Sequence, residues 1–422
     1  MESPGPYVIR SLTVRGPFRP EALAEPRNSR MKENKNMRKS LTAAAVIAAL
    51  GAVSAAQAAD VKISGVIDNY IEAYSNGDGT QARLSSGGAG GSRLTLEGTE
   101  DLGDGLAAFF KLEMGMLTDY GASSPDNSTQ SSYLFHHEAT MGLKSNTLGS
   151  LSFGRQYTPT FIALASMDPA GLALGSAMGT FSQPIDRGVN GGNATDNGTR
   201  RDNSVVWKSP KMGNFLVHAM AALGEDARDD GSASSTRRNY YGASVRYVDG
   251  PVNVVVAGAA LKSRFHLGTE GQQYGGWDFL SSIGATYDLG WIKPAIMVNF
   301  RKGDDFRSSN VYNAAGTRTK LGSDTILAAQ AGFSAPVPGG KIAVTVGYAH
   351  NRTLDEADAW SAGMRYDYPL SKRTFLYCGA IGVWNEDNAD YSLSGGGGSS
   401  AGPDTVVGKN ASTFFAGVHH SF

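Results

Sequence analysis

One cysteine, Cys378, stands in 422 residues, so no disulfide within the chain can brace the fold, and stability must come from hydrogen-bonded architecture and burial. Around it neither histidine nor a second cysteine lies at ligand spacing, which leaves Cys378 as a small side chain within a strand rather than a metal ligand or nucleophile. After residue 59 no apolar run approaches the length of about 18 residues that a membrane-spanning helix requires. Basic charge is not in excess either. Residues 59–422 hold 29 Lys and Arg against 35 Asp and Glu, a net charge of about −6 that speaks against a nucleic-acid partner. Catalytic signatures are missing too, since there is no Gly-x-Ser-x-Gly elbow. The runs GGAGG at 87–91 and GGGG at 395–398 lack the strand-to-helix context of a phosphate cradle and read as flexible exposed loops. His136 with His137, and His419 with His420, are sequence neighbours; in a strand such neighbours point to opposite faces and cannot chelate one ion. No metal, cofactor or catalytic residue is assigned.

What is present begins with an export signal. Arg38 and Lys39 precede LTAAAVIAALGAV, an apolar run too short to span a bilayer, and Ala56-Gln57-Ala58 supplies a small-x-small cleavage site. Residues 37–58 are therefore expected to be a cleaved signal peptide. Residues 1–36, rich in Pro and Arg and without apolar periodicity, read as a disordered upstream mis-start, with Met37, or in second place Met31, as the true first residue. The mature domain is then 59–422.

From Val61 onward one unit recurs: about ten residues of alternating pattern, a short turn, a second such run, then a longer polar loop, the signature of antiparallel hairpins. In SRLTLEGTED the residues Leu94, Leu96 and Gly98 point one way and Arg93, Thr95, Glu97 and Thr99 the other. LAAFFKLEMGM continues the rule, with Leu106, Ala108, Phe110, Leu112, Met114 and Met116 on one face and Lys111 and Glu113 on the opposite one. About sixteen such strands follow one another. Long polar connections at 76–91, 119–131, 158–201, 223–237, 262–276, 301–323, 350–356 and 386–410 alternate with short turns. Sorting loops by length onto two ends suits a closed barrel in a membrane, with short turns on one side and long loops on the other. Strands of about ten residues suffice to cross a bilayer when the sheet closes on itself. Aromatics at strand ends, among them Trp207, Tyr247, Trp277, Trp291, Tyr366, Tyr368 and Trp384, fit girdles at the two interfaces.

The segments SRLTLEGTEDLGDGL, FGRQYTP, RDNSVVWKSP, YDYPLSKRT and the terminal AGVHHSF together resemble the general porin family of Gram-negative bacteria, in its beta-proteobacterial and neisserial branch. The resemblance spans the whole of 59–422. It implies an all-β fold, a 16-stranded antiparallel transmembrane β-barrel with an inward-folded third loop, usually assembled as a homotrimer in outer-membrane lipid and lipopolysaccharide. Phe414, Ala416, Val418, His420 and Phe422 share one face, and the ending at Phe422 resembles the signal read by the outer-membrane assembly machinery. Counting hairpins, the third long loop is 158–201, a stretch without a sustained strand or helix pattern of its own. In the family, basic residues of the wall face acids of this loop across a constriction. By motif, the wall residues are Arg93, Arg155 and Arg201, with Lys111 as a fourth; the loop lacks the Pro-Glu-Phe-Gly type motif that places the acid in many relatives, and its candidates for the acidic side are Asp168 and Asp186. Arg155 shares parity with Phe153, expected on the lipid side, so either a bulge lies between them or Arg155 belongs to the loop edge.

Charge supports a lumenal placement independently, because an arginine on the lipid face near mid-membrane costs about 2–4 kcal/mol. The same residues could serve only to pair with lumenal carboxylates such as Glu97 and Glu113. The function expected is that of an outer-membrane porin in the Gram-negative cell: a water-filled channel for passive diffusion of small hydrophilic solutes and ions, with no chemical step and no cofactor. A substrate-preferring channel and a surface adhesin on a barrel scaffold are the alternatives. Screening confines each charge's influence to about a Debye length, so a locally basic constriction outweighs distant acidic loops and favours anions.

Overall fold

A computed structural model of the chain describes residues 60–123, 134–186, 199–223, 239–262, 266–267, 273–274, 277–303, 324–393 and 405–422. The expected upstream segment and signal peptide, residues 1–58, lie outside them, as does the GGGG run.

Sixteen strands make one closed antiparallel barrel. In chain order they are β1 (Asp60–Ser75), β2 (Arg93–Gly103), β3 (Leu106–Leu117), β4 (Glu138–Ser145), β5 (Gly149–Tyr157), β6 (Arg200–Lys208), β7 (Phe215–Ala222) and β8 (Tyr240–Asp249). They continue as β9 (Val252–Lys262), β10 (Trp277–Tyr287), β11 (Lys293–Gly303), β12 (Asp324–Val337), β13 (Gly340–Asn351), β14 (Ala359–Pro369), β15 (Thr374–Asn385) and β16 (Ala411–Ser421). Each strand pairs with the next, and the seam closes where β1 meets β16, from Val66 opposite Ser421 to Ser75 opposite Ser412. On its other side β1 is shared. Asp60 to Val66 pair with β2, and Asn69 to Ser75 pair with a seven-residue arm, Thr80–Ser86, that doubles back from the first long loop.

Turn chemistry sets the short ends. Between β2 and β3, Gly103, Asp104 and Gly105 all have positive φ (87°, 50° and 75°), a conformation that glycine and aspartate tolerate best. Along the strands the usual burial rule is inverted. On β10 the apolar Phe279 and Ile283 are exposed on the outer face while the polar Asp278, Ser282 and Thr286, at positions of the opposite parity, are buried on the inner one. Met141, Phe153, Trp207, Ile296, Trp360 and Phe414 repeat the pattern. Apolar side chains outside a closed sheet have lipid as their solvent, and full closure satisfies every backbone group in the ladder. Among the described residues no helix is long and apolar enough to cross a membrane. Cys378 is exposed, between Tyr377, which faces inward, and Gly379. An arginine at Ile283, in the middle of β10, is expected to cost about 2–4 kcal/mol, read as a lowered folded fraction when the protein is refolded into lipid across a urea series.

The apolar core lies inside the barrel, between the third loop and the wall. Met167, Leu174, Met178 and Phe181 of the loop are buried against Val255, Met297, Ala328, Ala349 and Ile381 of the strands. The loop is not free of regular structure, as its sequence suggested. It contains two helices, α1 (Pro159–Met167) and α2 (Ala177–Asp186), packed along β7–β11 and β12–β14 respectively. Thr158 caps α1 by accepting from the Phe161 N–H at 3.3 Å, with Pro159 in the first turn. Ser176 does the same for α2 through the Gly179 N–H at 2.8 Å.

Candidate functional site

The candidate site residues lie on two surfaces, a stretch of wall and the third loop. The first is the wall from β2 to β6. Arg93, from β2, donates to the Gly91 carbonyl at 2.9 Å and stands 3.9 Å from the carboxylate of Glu113 on β3. Lys111 sits two residues before Glu113 on the same inner face, 3.1 Å from it, and also pairs with Glu138 at the start of β4. Glu113 is buried and completed by the Thr95 hydroxyl at 3.1 Å and His137 Nδ1 at 3.2 Å. Arg93 and Lys111 keep about a third of their side chains in solvent (36% and 30%), whereas Glu113 between them is buried.

The other wall arginines are enclosed. β6 begins at Arg200, so Arg200 and Arg201 belong to the wall rather than to the end of the loop. Arg201 is buried over the ring of Tyr240, 4.9 Å from its centroid. Arg200 lies 4.2 Å above the ring of Tyr157 and donates to the Tyr157 hydroxyl, while Tyr157 stacks on Phe161 of α1 at 5.3 Å. Arg200, Tyr157 and Phe161 thus form a continuous stack that seats α1 on the wall. A bulge does lie at Arg155: the β5–β6 register shifts between Gly154 and Gln156, with Gly154 at φ +117° and Asn203 at +51°. Arg155 pairs in register with Ala139, in step with Phe153 and Met141, and its guanidinium is held 2.6 Å from the exposed Asp202 carboxylate and by the His136 carbonyl.

The second surface is the loop. The sequence offers Asp168 and Asp186 as candidates for the acidic side of the pore. The Asp168 carboxylate is instead buried and engaged on both oxygens, accepting from the Ala170 N–H at 2.7 Å, the Ser176 hydroxyl at 2.6 Å and Gln330 Nε2 on β12 at 2.9 Å. The physical reason is the sharp turn after α1, whose backbone and hydroxyl donors need an acceptor inside the core. Asp186 is the last residue of α2, and its side chain lies outside the described residues.

Two further wall side chains fix the turn between the helices. Thr345 on β13 accepts from the Ala177 N–H at 2.9 Å and donates to the Gly175 carbonyl at 2.8 Å. Arg365 on β14 donates to the carbonyls of Ala170 and Leu174 at 3.1 and 3.2 Å while Asp367 holds its other edge at 2.8 Å. Between them the wall is bare: a Cβ at Gly363 would fall 2.7 Å from the Gly175 oxygen, and one at Gly347 would fall 2.9 Å from the Phe181 ring. Sequence reasoning missed Gln330, Thr345 and Arg365, which lie more than 150 residues from their partners. The available signal was weaker, namely glycines at inward positions of β13 and β14, where a backbone approaches closely.

Two other readings change. The segment 87–91 is not a loose exterior loop: Gly87, Gly88 and Gly91 are buried, folded onto Asp68 of β1. His136 and His137 precede β4, so the rule of opposite faces does not apply, and their rings meet edge to face at 4.7 Å over Gly115. His419 does turn to the lumenal side, toward Asp68, while His420 pairs with Thr374. Among the described residues no group of three or more His, Cys, Asp and Glu is arranged to hold a metal ion.

This geometry is a closed barrel with its third loop folded inside and pinned to the wall, and the comparisons agree with it. A family model described as Gram-negative porin matches residues 43–412. The chain is 30% identical over 392 residues to outer membrane porin protein 32 of Delftia acidovorans, covering 92% of this chain and 100% of that protein. It is 30% identical over 388 residues to an outer membrane porin protein of Bordetella pertussis, covering 81% of this chain and 93% of that protein. Among solved structures, the anion-selective porin from Comamonas acidovorans superposes with a TM-score of 0.69 at 25% identity, covering 86% of this chain and 100% of that one. The trimer form of OmpT from Vibrio cholerae, at 17% identity and a TM-score of 0.61 over 87% of this chain and 100% of that one, shares the fold. The chain belongs to the Gram-negative porin family.

Proposed function

We propose that this outer-membrane porin passes small hydrophilic solutes by diffusion and prefers anions to cations. The observation that carries the reading is an asymmetry of accessible charge. Arg93 and Lys111 keep solvent-facing side chains on the wall, whereas Glu113 beside them is buried, the loop's Asp168 is enclosed, and the partly exposed Glu97 opposite Lys111 is paired with Lys62. Fixed charge lining a water-filled pore sets ion preference electrostatically, and charges within a Debye length of the path dominate those on remote loops. The similarity to a solved porin titled as anion-selective points the same way. In this reading Arg201, buried over Tyr240, contributes less to selectivity than Arg93 and Lys111, and Arg155 braces the bulge rather than lining the path. Transport involves no chemical step.

A reversal potential measured across a KCl gradient tests the proposal. The wild-type channel should favour chloride. Replacing both Arg93 and Lys111 by Gln should move the potential toward potassium, and Arg201→Ala should move it less. An unchanged potential in the double variant would refute the assignment. We further propose a homotrimer and a C-terminal assembly signal. The exposed Phe414, Val418 and Phe422 recur on one face of the last strand, and the Phe422 backbone pairs with Gly65 at 3.1 and 3.2 Å. Truncation of Phe422 should lower insertion of the protein into the outer membrane, followed by membrane fractionation.

A further inference from the structure

Asp68 is fully buried on the inner face of β1, and it is the most heavily solicited carboxylate of the described residues. Its Oδ1 accepts from the Gly88 N–H at 3.0 Å and the Tyr377 hydroxyl at 2.5 Å. Its Oδ2 accepts from the N–H groups of Ala89 and Gly90, each at 3.1 Å, and lies 2.9 Å from His419 Nδ1. Three successive backbone donors wrapped around an anion form a nest of the kind that binds carboxylates and phosphates, here filled by a side chain of the same protein. The requirement for glycine is local: a Cβ at Gly88 would fall 2.4 Å from the Tyr377 hydroxyl and 2.7 Å from the Tyr70 ring.

The nest is joined to the constriction. Gly88, whose N–H binds Asp68, offers its carbonyl to the Leu174 N–H at 3.0 Å, and Leu174 lies in the turn between α1 and α2. The same turn is held on its far flank by Arg365 through the Leu174 carbonyl. One peptide segment of the constriction loop is thus fixed from two sides, by Arg365 on β14 and by Asp68 acting through Gly88.

We infer that Asp68 is a positioning residue of the pore, setting the aperture by holding the 87–91 segment against the constriction loop. It touches no solute, since it has no exposed surface. Its effect on transport is therefore steric and not electrostatic. The inference rests on the porin reading but not on the anion preference, and the two fail differently.

The test is single-channel recording of the full-length mature protein refolded into planar bilayers. Asp68→Asn keeps the shape but turns an amide NH2 toward donors that need an acceptor. Its channels should show higher conductance and more open-channel noise than wild type, with an unchanged reversal potential. Folded-barrel mobility on unheated gels shows that the seam remains closed. Tyr377→Phe removes one bond and should raise the noise by a smaller amount, and this variant decides the matter where Asp68→Asn does not fold. Wild-type conductance and noise in folded Asp68→Asn, or in Tyr377→Phe where only that variant folds, would overturn the inference. So would a reversal potential that moves together with conductance, because Asp68 would then act as a pore charge.

Discussion

Asp168→Ala is expected to widen the channel and destabilise the protein at once. The carboxylate is the common acceptor of three donors, the Ala170 N–H, the Ser176 hydroxyl and Gln330 Nε2, at 2.6 to 2.9 Å inside the core between loop and wall. Alanine leaves all three without it, and each stranded buried donor costs about 1–3 kcal/mol. Lumenal water that relieves the cost must enter between α1 and the wall, which displaces the turn. Thermal unfolding in detergent should fall by several degrees, and single-channel conductance should rise. Asp168→Asn keeps one acceptor oxygen and should lose less of both. Full stability and unchanged conductance in the alanine variant would mean that Thr345 and Arg365 alone fix the loop.

The second large effect comes from adding bulk where the wall has none. In Gly363→Val the new Cβ meets the backbone of Gly175, 2.7 Å from its oxygen and 3.0 Å from its Cα. Backbone cannot rotate away as a side chain can, and Gly175, at φ +95°, is held by the Thr345 hydroxyl. Overpacking of this kind costs about 1–3 kcal/mol. The strain should be released by the loop rather than by the barrel, because β14 keeps its ladder with β13 and β15 on both sides of Gly363. The measured outcome should be a folded barrel with raised conductance. Ala362→Val, one residue away on the lipid face, should leave conductance unchanged, and equal behaviour of the two variants would show that the loop does not seat on Gly363.

The barrel is legible in the residues because one physical rule writes it repeatedly. Water inside and lipid outside force a period of two on every strand, and Phe279, Ile283 and their buried polar neighbours obey it as openly as Leu94 and Thr95 do. The third loop could be located by counting hairpins but not read in detail. Helix α1, PTFIALASM, is apolar on nearly every side, so it shows no amphipathic stripe, and its burial inside the barrel removes any need for one. The lumenal arginines were found by motif, yet motif does not report accessibility: Arg93 and Lys111 reach water, while Arg201 is closed in by Tyr240. Asp168 belongs to the same lesson, since an acid in a polar loop reads as solvated until the donors converging on it are seen. The partners Gln330, Thr345, Arg365 and Asp68 left no local trace, because what defines them is a meeting with residues far away in the chain.

The bonds of Asp68 also carry information about time. Tyr377 and His419 stand 309 and 351 positions further along the chain, on the last two strands, and contacts of such separation form late because loop closure must precede them. Until β16 reaches β1, the glycine segment lacks two of the side chains that enclose its anchor. The enclosure of Asp68 is therefore completed by the same event that removes the last free sheet edge from the membrane.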